Sequence, residues 1–354
     1  MKDNSITIRL TVLMVVYNEP LPFVRIQIES ILKQTYNNYI FIIVSDNPSN
    51  TELNNLTKEF ERQDERIRII INENNLGIPK AKNVGLSIAT TEYIAISDAD
   101  DFSHPERFER QIGYLDTHPE VVAVGSYALI MNEKGRVINE MHTSNDDKLM
   151  KSMLPFEQPL YHPSMIYRRV INGKPIRYNE SMKISLDYEL CNQMSSGVYA
   201  NIPEYLLYYR FSQNQTTKIY KDKYIEYDAP IRKKALRKYY NDITDKDADA
   251  FINMYYRLKV DNESLDDVDT FLLHLYQNKN TYKREMNHVM TFLMVRYVEF
   301  LMQNETKTNV IKRFVRLNKN LGDSFYLRVF GYGIGKISNK IKYRLINKKC
   351  PAYK

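Results

Sequence analysis

Apolar residues follow two alternating rhythms along the first two hundred positions. Ile8 to Tyr17 is nearly all apolar and β-branched, which reads as a buried strand, and Tyr17-Asn18-Glu19-Pro20 breaks it. Leu21 to Lys33 then places Val24, Ile28, Ile31 and Leu32 at helical spacing. Ile40 to Val44 predicts a second strand, closed by Ser45-Asp46-Asn47-Pro48. Thr51 to Arg62 puts Leu53, Leu56 and Phe60 on one helical face. Ile67 to Ile71 is a third predicted strand, Ile78 to Ala89 a helix, and Tyr93 to Ile96 a fourth strand. Further on, the pattern predicts a helix over Pro105 to His118 and strands over Val121 to Tyr127 and Leu129 to Asn132, with a turn at Glu133-Lys134-Gly135. Ser164 to Tyr167 and the tyrosine-rich Tyr205 to Phe211 read as strands, and Leu186 to Ser195 as a helix.

Strand and helix alternate four times in under 100 residues, which implies a parallel sheet with right-handed crossovers. Near-continuous apolar strands agree with burial on both faces. From about Lys223 the rhythm is helical, rich in Tyr and Lys, with few strand signals. The expected organisation is therefore an α/β domain over 1–220 and a mainly helical region over 221–354.

Charge changes that picture at one end only. The chain has 354 residues and a net charge of +7. From Lys307 to Lys354 there are thirteen Lys or Arg and one acid, Asp323, so this segment carries +12 and the rest −5. Val310, Ile311, Phe314, Val315 and Leu317 fall mainly on one helical side, with Lys312, Arg313, Arg316 and Lys319 mainly on the other. Such a helix is expected to lie in a membrane interface, and Phe325 to Leu345 mixes apolar residues and cations in the same way. No apolar run reaches the 18 residues of a spanning helix, and Met-Lys-Asp-Asn-Ser lacks a leader's apolar stretch. Two cysteines, Cys191 and Cys350, provide neither a disulfide framework nor zinc spacing. The expected location is the cytoplasm, peripheral on the inner face of the cell membrane.

The candidate chemistry gathers at the fourth strand. Asp98, Asp100 and Asp101 follow it at once, and Asp is a poor strand former, so the strand is expected to end where the acids begin. Ligands of open α/β sheets bind beyond the carboxyl ends of the strands. Three acids in four residues repel one another unless a cation neutralises them, and oxygen ligands suit Mg²⁺ or Mn²⁺. The alternative is an acidic turn capping the helix at Pro105. Asp46 ends the second strand, and Tyr17 and Asn18 end the first. No Gly-x-Gly-x-x-Gly or Walker A loop is present, so a metal and cations such as Lys82 or Arg210 would have to bind phosphate.

These residues carry a resemblance. Val16-Tyr17-Asn18-Glu19, Ser30-Ile31-Leu32-Lys33-Gln34-Thr35-Tyr36 and Val44-Ser45-Asp46-Asn47 stand in sequence. Asn75-Leu76-Gly77, Ala81-Lys82-Asn83-Val84-Gly85-Leu86 and Ser97-Asp98-Ala99-Asp100-Asp101 follow. His162-Pro163-Ser164, Asp187-Tyr188-Glu189-Leu190 and Tyr208-Tyr209-Arg210 complete the order. Over residues 8 to 217 the chain resembles the bacterial family-2 glycosyltransferases. The resemblance implies the GT-A fold, a Rossmann-type mixed sheet flanked by helices, and inverting transfer of a sugar from a nucleoside-diphosphate donor, usually UDP-linked. It implies that Asp46 contacts the base, with Tyr17 and Glu19 lining that pocket. Asp98 would lie by the ribose or diphosphate, Asp100 would coordinate the divalent metal with Asp101 close by, and Arg210 would lie near the diphosphate or acceptor. Asp187 would be the general base that takes the acceptor's proton.

Four positions depart from the family's pattern: Val15 for proline, Lys82 for arginine, Leu186 for an acid, and Ser212 for a histidine that can bind metal. The processive members' Gln-x-x-Arg-Trp motif is impossible without tryptophan, so a single-sugar transfer is expected. The implied acceptor is a glycan or a lipid-linked glycan of surface polysaccharide such as capsule, with teichoic acid or protein as alternatives, and a homo-oligomer is possible. A nucleotidyltransferase would usually show a glycine-rich loop near the first strand, and Tyr17 to Arg25 contains none. A nucleic-acid partner is not expected, although Phe314, Arg316, Phe325, Tyr326 and Arg328 interleave rings and cations.

Overall fold

The computed structural model describes residues 7–211, 223–277, 284–321 and 350–353. The chain divides into two compact units. The first comprises 1–147, 158–221 and 343–354, and the second 148–157 and 222–342.

The first unit opens with β1 (Leu10–Val16), α1 (Leu21–Leu32), β2 (Tyr39–Ser45), α2 (Thr51–Gln63), β3 (Ile67–Ile71), α3 (Ile78–Ile88) and β4 (Tyr93–Asp98). Then come β5 (Phe102–Ser103), α4 (Arg107–Thr117), β6 (Val121–Met131) and β7 (Val137–Met141), before α5 (Asp147–Met153), all but the first residue of which belongs to the second unit. After a short 3-10 turn at His162–Ser164 follow β8 (Ile166–Arg168), β9 (Val170–Ile171), β10 (Lys174–Pro175), α6 (Leu186–Met194) and β11 (Val198–Arg210). Nine strands form one sheet in the order β3-β2-β1-β4-β8-β6-β11-β5, with β7 alongside β6. The β3-β2-β1-β4 half is parallel, and β8 runs antiparallel to both β4 and β6. This is the mixed α/β sheet that the sequence predicts.

The alternation along β1 shows how the sheet is sandwiched. Val12, Met14 and Val16 join one core with Val24, Ile28 and Ile31 of α1, Leu53 and Phe60 of α2, and Phe108 and Ile112 of α4. Leu13 points to the opposite face, as strand geometry requires, and meets α3. A Cβ on Gly85 of α3 would lie 2.3 Å from Leu13 Cδ1 and 3.1 Å from Val44 Cγ2, so glycine permits this helix–sheet approach.

Several boundaries differ from the pattern-based reading. β4 continues through Ser97 and Asp98, because pairing with β1 extends to Val15↔Asp98 and Ser97 Oγ accepts from Gln27 Nε2 at 2.6 Å. Val121–Met131 is one strand rather than two, held by its parallel partner β11. β11 begins at Val198, seven residues earlier than its apolar run suggests, and passes Pro203-Glu204 through register shifts. β8 starts at Ile166 because His162–Ser164 forms a turn. β7 completes a hairpin with β6 around the predicted turn, where Gly135 has φ 71.

The second unit is helical: α7 (Tyr224–Tyr239), α8 (Asp245–Tyr255), α9 (Asn262–Gln277), α10 (Met286–Asn304) and α11 (Lys307–Leu321). Thr244 and Asp247 close a reciprocal capping box on α8. In α11, Val310, Leu317 and Leu321 are buried, whereas Ile311 and Val315 are 64% and 44% exposed. Arg313 lies on the packed side, paired with Asp266 at 2.9 Å, Asp269 at 3.0 Å and Glu305 at 3.2 Å. Arg316 pairs with Asp269 at 2.6 Å. The expected division into one apolar and one cationic side therefore holds only in part, since Arg313 turns inward to the buried Asp269 of α9, whereas Arg316 stays exposed. Phe325 to Leu345 and Ser212 lie outside the described residues. Among the described residues no helix is long and apolar enough to cross a membrane.

Candidate active site

The carboxyl ends of β1, β2 and β4 bring the candidate residues to one edge of the sheet. After β1, Tyr17 is 41% exposed and its N–H donates to Glu19 Oε2 at 2.7 Å. Burial pushes the Glu19 carboxyl up, and the charge of Asp98 adds to this. Asp46, just beyond β2, is 3% exposed. Its carboxylate accepts from Asn72 Nδ2 at 2.8 Å, Leu76 N at 2.9 Å and Gly77 N at 2.9 Å. Asp46 therefore shapes the loop that leads into α3, the helix that carries Lys82 and Asn83.

Beyond β4 the acids occupy different environments. The Asp98 side chain is 37% exposed and lies 3.6 Å from Lys82 Nζ. Burial, followed by the charges of Asp98 and Glu19, pushes Asp100 up to about 7. Asp101 is fully buried, accepts Arg210 N–H at 2.8 Å through Oδ1, and has no hydrogen-bond partner on Oδ2. Burial pushes its carboxyl well above the usual carboxylate range, with the charges of Asp100 and Asp98 adding to the effect. Arg210 is also fully buried: Nε donates to the Asp100 carbonyl at 2.6 Å, and the guanidinium lies 3.9 Å from the Phe23 ring centroid. It braces the acidic turn from behind.

A second buried cation, Arg107, has no signal in the sequence, where it reads as an ordinary residue of an amphipathic helix. Arg107 is 0% exposed and donates to Ile96 O at 3.0 Å, Ser103 Oγ at 3.1 Å and Gln111 Oε1 at 3.1 Å. Burial lowers its guanidinium to about 10, while Asp101 and Asp98 pull the other way. It supplies positive charge to the turn from inside the core.

The downstream motifs converge on Tyr178. His162 Nε2 and Tyr178 Oη are 2.8 Å apart. Burial, helped by the charge of Lys82, lowers the imidazole to about 3, so His162 is neutral at pH 7. Lys82 Nζ lies 5.5 Å from the Tyr178 ring centroid. Burial raises the Tyr178 phenol well above its ordinary value, and both Asp98 and Asp187 contribute. Asp187 is half-buried in the first turn of α6, behind Ser185, whose φ of 56 is in the left-handed region. The Tyr188 N–H donates to Asp187 Oδ1 at 2.9 Å.

The acids fit a divalent cation in one respect. Asp100 is disfavoured as an anion because Asp98 and Glu19 face it, and a bound cation would remove that repulsion. Among the described residues, however, no group of three or more His, Cys, Asp or Glu is placed to hold a metal. A cation there would need further ligands from a bound substrate. Asp101 is a poor candidate ligand, since it is enclosed and one of its oxygens is held by Arg210.

The family model for glycosyl transferase family 2 matches residues 11–174. An uncharacterized glycosyltransferase of Methanocaldococcus jannaschii is 34% identical over 254 residues, which is 71% of this chain and 84% of that protein. The chain belongs to the family-2 glycosyltransferases. This glycosyltransferase is also 30% identical over 214 residues to an amylovoran biosynthesis glycosyltransferase of Erwinia amylovora, covering 59% of the chain and 78% of the relative. Among solved structures, residues 1–349 of S. aureus TarS in complex with UDP-GlcNAc align with a TM-score of 0.54 at 14% identity, over 89% of this chain and 92% of that one. A mannosyltransferase of Pyrobaculum calidifontis with GDP-Man and Mn²⁺ aligns with a TM-score of 0.52 at 14% identity, over 87% and 86%. At these identities the two structures show the GT-A-like fold alone.

Proposed function

We propose that this glycosyltransferase moves one sugar, with inversion, from a UDP-linked donor to a hydroxyl of a glycan or lipid-linked acceptor in surface polysaccharide synthesis. The observation that carries this reading is that Lys82 Nζ lies 3.6 Å from Asp98 and 5.5 Å from the ring of Tyr178, on the segment that leads into the helix of Asp187. An inverting transfer needs one carboxylate on the far side of the anomeric carbon from the leaving group, where it activates the acceptor hydroxyl. Asp187 takes the acceptor proton, the acceptor oxygen bonds to the anomeric carbon, and the bond to the diphosphate oxygen breaks. Lys82 and Asp98 orient the diphosphate, and Tyr17, Glu19 and the Asp46 loop form the wall for the base. Asp100, with Asp98, would hold a Mn²⁺ or Mg²⁺ ion, which when bound offsets the charge developing on the departing nucleoside diphosphate. Asp101 and Arg210 keep that turn in shape. The amylovoran relative and an O-antigen biosynthesis glycosyltransferase of Escherichia coli, 30% identical over 201 residues, support a polysaccharide acceptor.

The test is a thermal-shift comparison of UDP-, GDP-, CDP- and TDP-sugars with and without Mn²⁺. One UDP-sugar is expected to stabilise the wild type only when Mn²⁺ is present, by about 2.7 kcal/mol at a hundred times its Kd. Asp100→Ala is expected to lose the metal-dependent part of that shift. Equal shifts with and without Mn²⁺ in both proteins would remove the metal from the reading.

We also propose contact with an anionic membrane surface through α11, where exposed Ile311 and Val315 sit among exposed Lys307, Lys312 and Lys319. Each such lysine near an anionic leaflet contributes about 1 kcal/mol. The full chain is expected to co-sediment with anionic vesicles at low salt and to be released by Lys307→Glu, Lys312→Glu and Lys319→Glu together. Equal pelleting of the two proteins would overturn this placement.

A further inference from the structure

We propose that Asn83 and Tyr178 form a bracket that positions Asp187 and ties it to the donor-side Lys82. The proposal rests on Asp187 being the general base, and it assigns positioning roles to two residues that do not themselves touch the reacting atoms.

The bracket is built on the backbone. The Tyr178 N–H donates to Asn83 Oδ1 at 2.9 Å, and Asn83 Nδ2 donates to the Tyr178 carbonyl at 2.8 Å. One side-chain amide thus satisfies both main-chain groups of a residue 95 positions away, as a neighbouring strand would. Asn83 Nδ2 also donates to Glu180 Oε1 at 3.0 Å, which extends the clamp by two residues. The Tyr178 side chain is 2% exposed, with its hydroxyl on His162 and its ring facing the Lys82 ammonium.

The pinned strap determines where α6 begins. Gln193 Nε2, in the last turn of α6, donates to the Arg177 carbonyl at 2.9 Å, so the helix is tied back to the residue beside the clamp. Between clamp and helix, Met182 and Ile184 are buried at 7% and 3% exposure. Ser185 then turns the chain through a left-handed conformation that is unfavourable for a non-glycine residue. Such a conformation persists only where the surroundings over-determine it. The segment from Arg177 to Asp187 is therefore held at its start by Asn83, along its length by burial, and at its end by the helix.

The consequence concerns coupling. Lys82 and Asn83 are consecutive on α3, one reaching the donor-side Asp98 and the other holding the strap of the base. A displacement of that turn of α3 moves both stations together, so the distance between leaving group and base is set by one rigid element. Misplacing a catalytic group by about 1 Å can cost a hundredfold in rate.

The experiment measures turnover and donor Kd for wild type, Asn83→Ala, Tyr178→Phe, Asp187→Asn and the Asn83→Ala/Asp187→Asn double variant. Asn83→Ala is expected to keep donor Kd within about threefold and to lose roughly tenfold to a hundredfold in turnover. Tyr178→Phe keeps the backbone clamp and the ring, so it is expected to lose less. In the Asp187→Asn background, Asn83→Ala is expected to change turnover by less than about twofold, because a residue acting only through the base has nothing left to position. Wild-type turnover in Asn83→Ala, a loss confined to donor affinity, or a loss that multiplies with Asp187→Asn would each overturn the bracket while leaving the base in place. Wild-type turnover in Asp187→Asn would instead overturn the base, and the bracket with it. If Asn83→Ala loses its cooperative melt, Asn83→Asp, which keeps the acceptor for the Tyr178 N–H and loses the donor to its carbonyl, carries the test, and unchanged turnover in that variant overturns the proposal.

Discussion

Asp187→Asn lowers turnover by about a hundredfold or more and leaves both the melting temperature and donor affinity close to wild type. The effect is large because an amide cannot accept the acceptor's proton, and the attacking oxygen must then lose it to water. The fold should be preserved because the substitution is isosteric at a half-buried position in the first turn of α6. The amide oxygen can still accept the Tyr188 N–H, so the local geometry survives. Single-turnover rates at saturating donor, alongside a donor titration, separate the chemical step from binding. Turnover within about threefold of wild type would make Asp187 a helix-terminal acid, favoured there by the helix dipole, and the base would lie elsewhere.

Arg107→Met is expected to cost about 3–5 kcal/mol of stability, because three buried acceptors lose their donor at about 1–3 kcal/mol each. The side chain is entirely enclosed, so no water can replace it. Its loss leaves the Ile96 carbonyl, Ser103 Oγ and Gln111 Oε1 without their donor, and removes a buried positive charge that Asp101 and Asp98 favour. Methionine fills much of the volume, so the penalty reports charge and hydrogen bonding rather than a cavity. For a chain of this size the melting temperature should fall on the order of 10 °C. Arg107→Lys restores the charge without the planar fork and should recover only part of the loss. Calorimetry that places Arg107→Met within about 2 °C of wild type would show that the acidic turn is stabilised without this cation.

The side chains proposed for donor binding and base are braced by buried neighbours, several of them distant in the chain. The acidic turn is supported by Arg107 from below and by Arg210 from β11, and the base by a strap fastened to α3. Such an arrangement keeps the exposed face of the site open to substrates while its back is enclosed and hydrogen-bonded. A pre-organised site of this kind avoids reorganisation at the moment of reaction.

Taken alone, the sequence determines the alternation of β1 to β4 with α1 to α3, the class of the sheet and the membership of the family. Those features are written in local periodicity, because a strand buried on both faces must be apolar throughout and a covering helix must be apolar on one stripe. The acids at the end of β4 are legible for the same local reason: a buried strand cannot continue far into consecutive charges. Tertiary structure alone decides the rest. It carries β11 past Pro203-Glu204 as the partner of β6, and it turns Arg313 of α11 inward toward Asp266 and Asp269. It buries Arg107 under the acids, and it joins Asn83 to Tyr178. The burial of Arg107 depends on the sheet closing over it, and each of the others on which distant segment arrives opposite a residue. A hydrogen bond or ion pair across 40 to 100 positions leaves no period in the chain, because its geometry exists only once the sheet has closed around it.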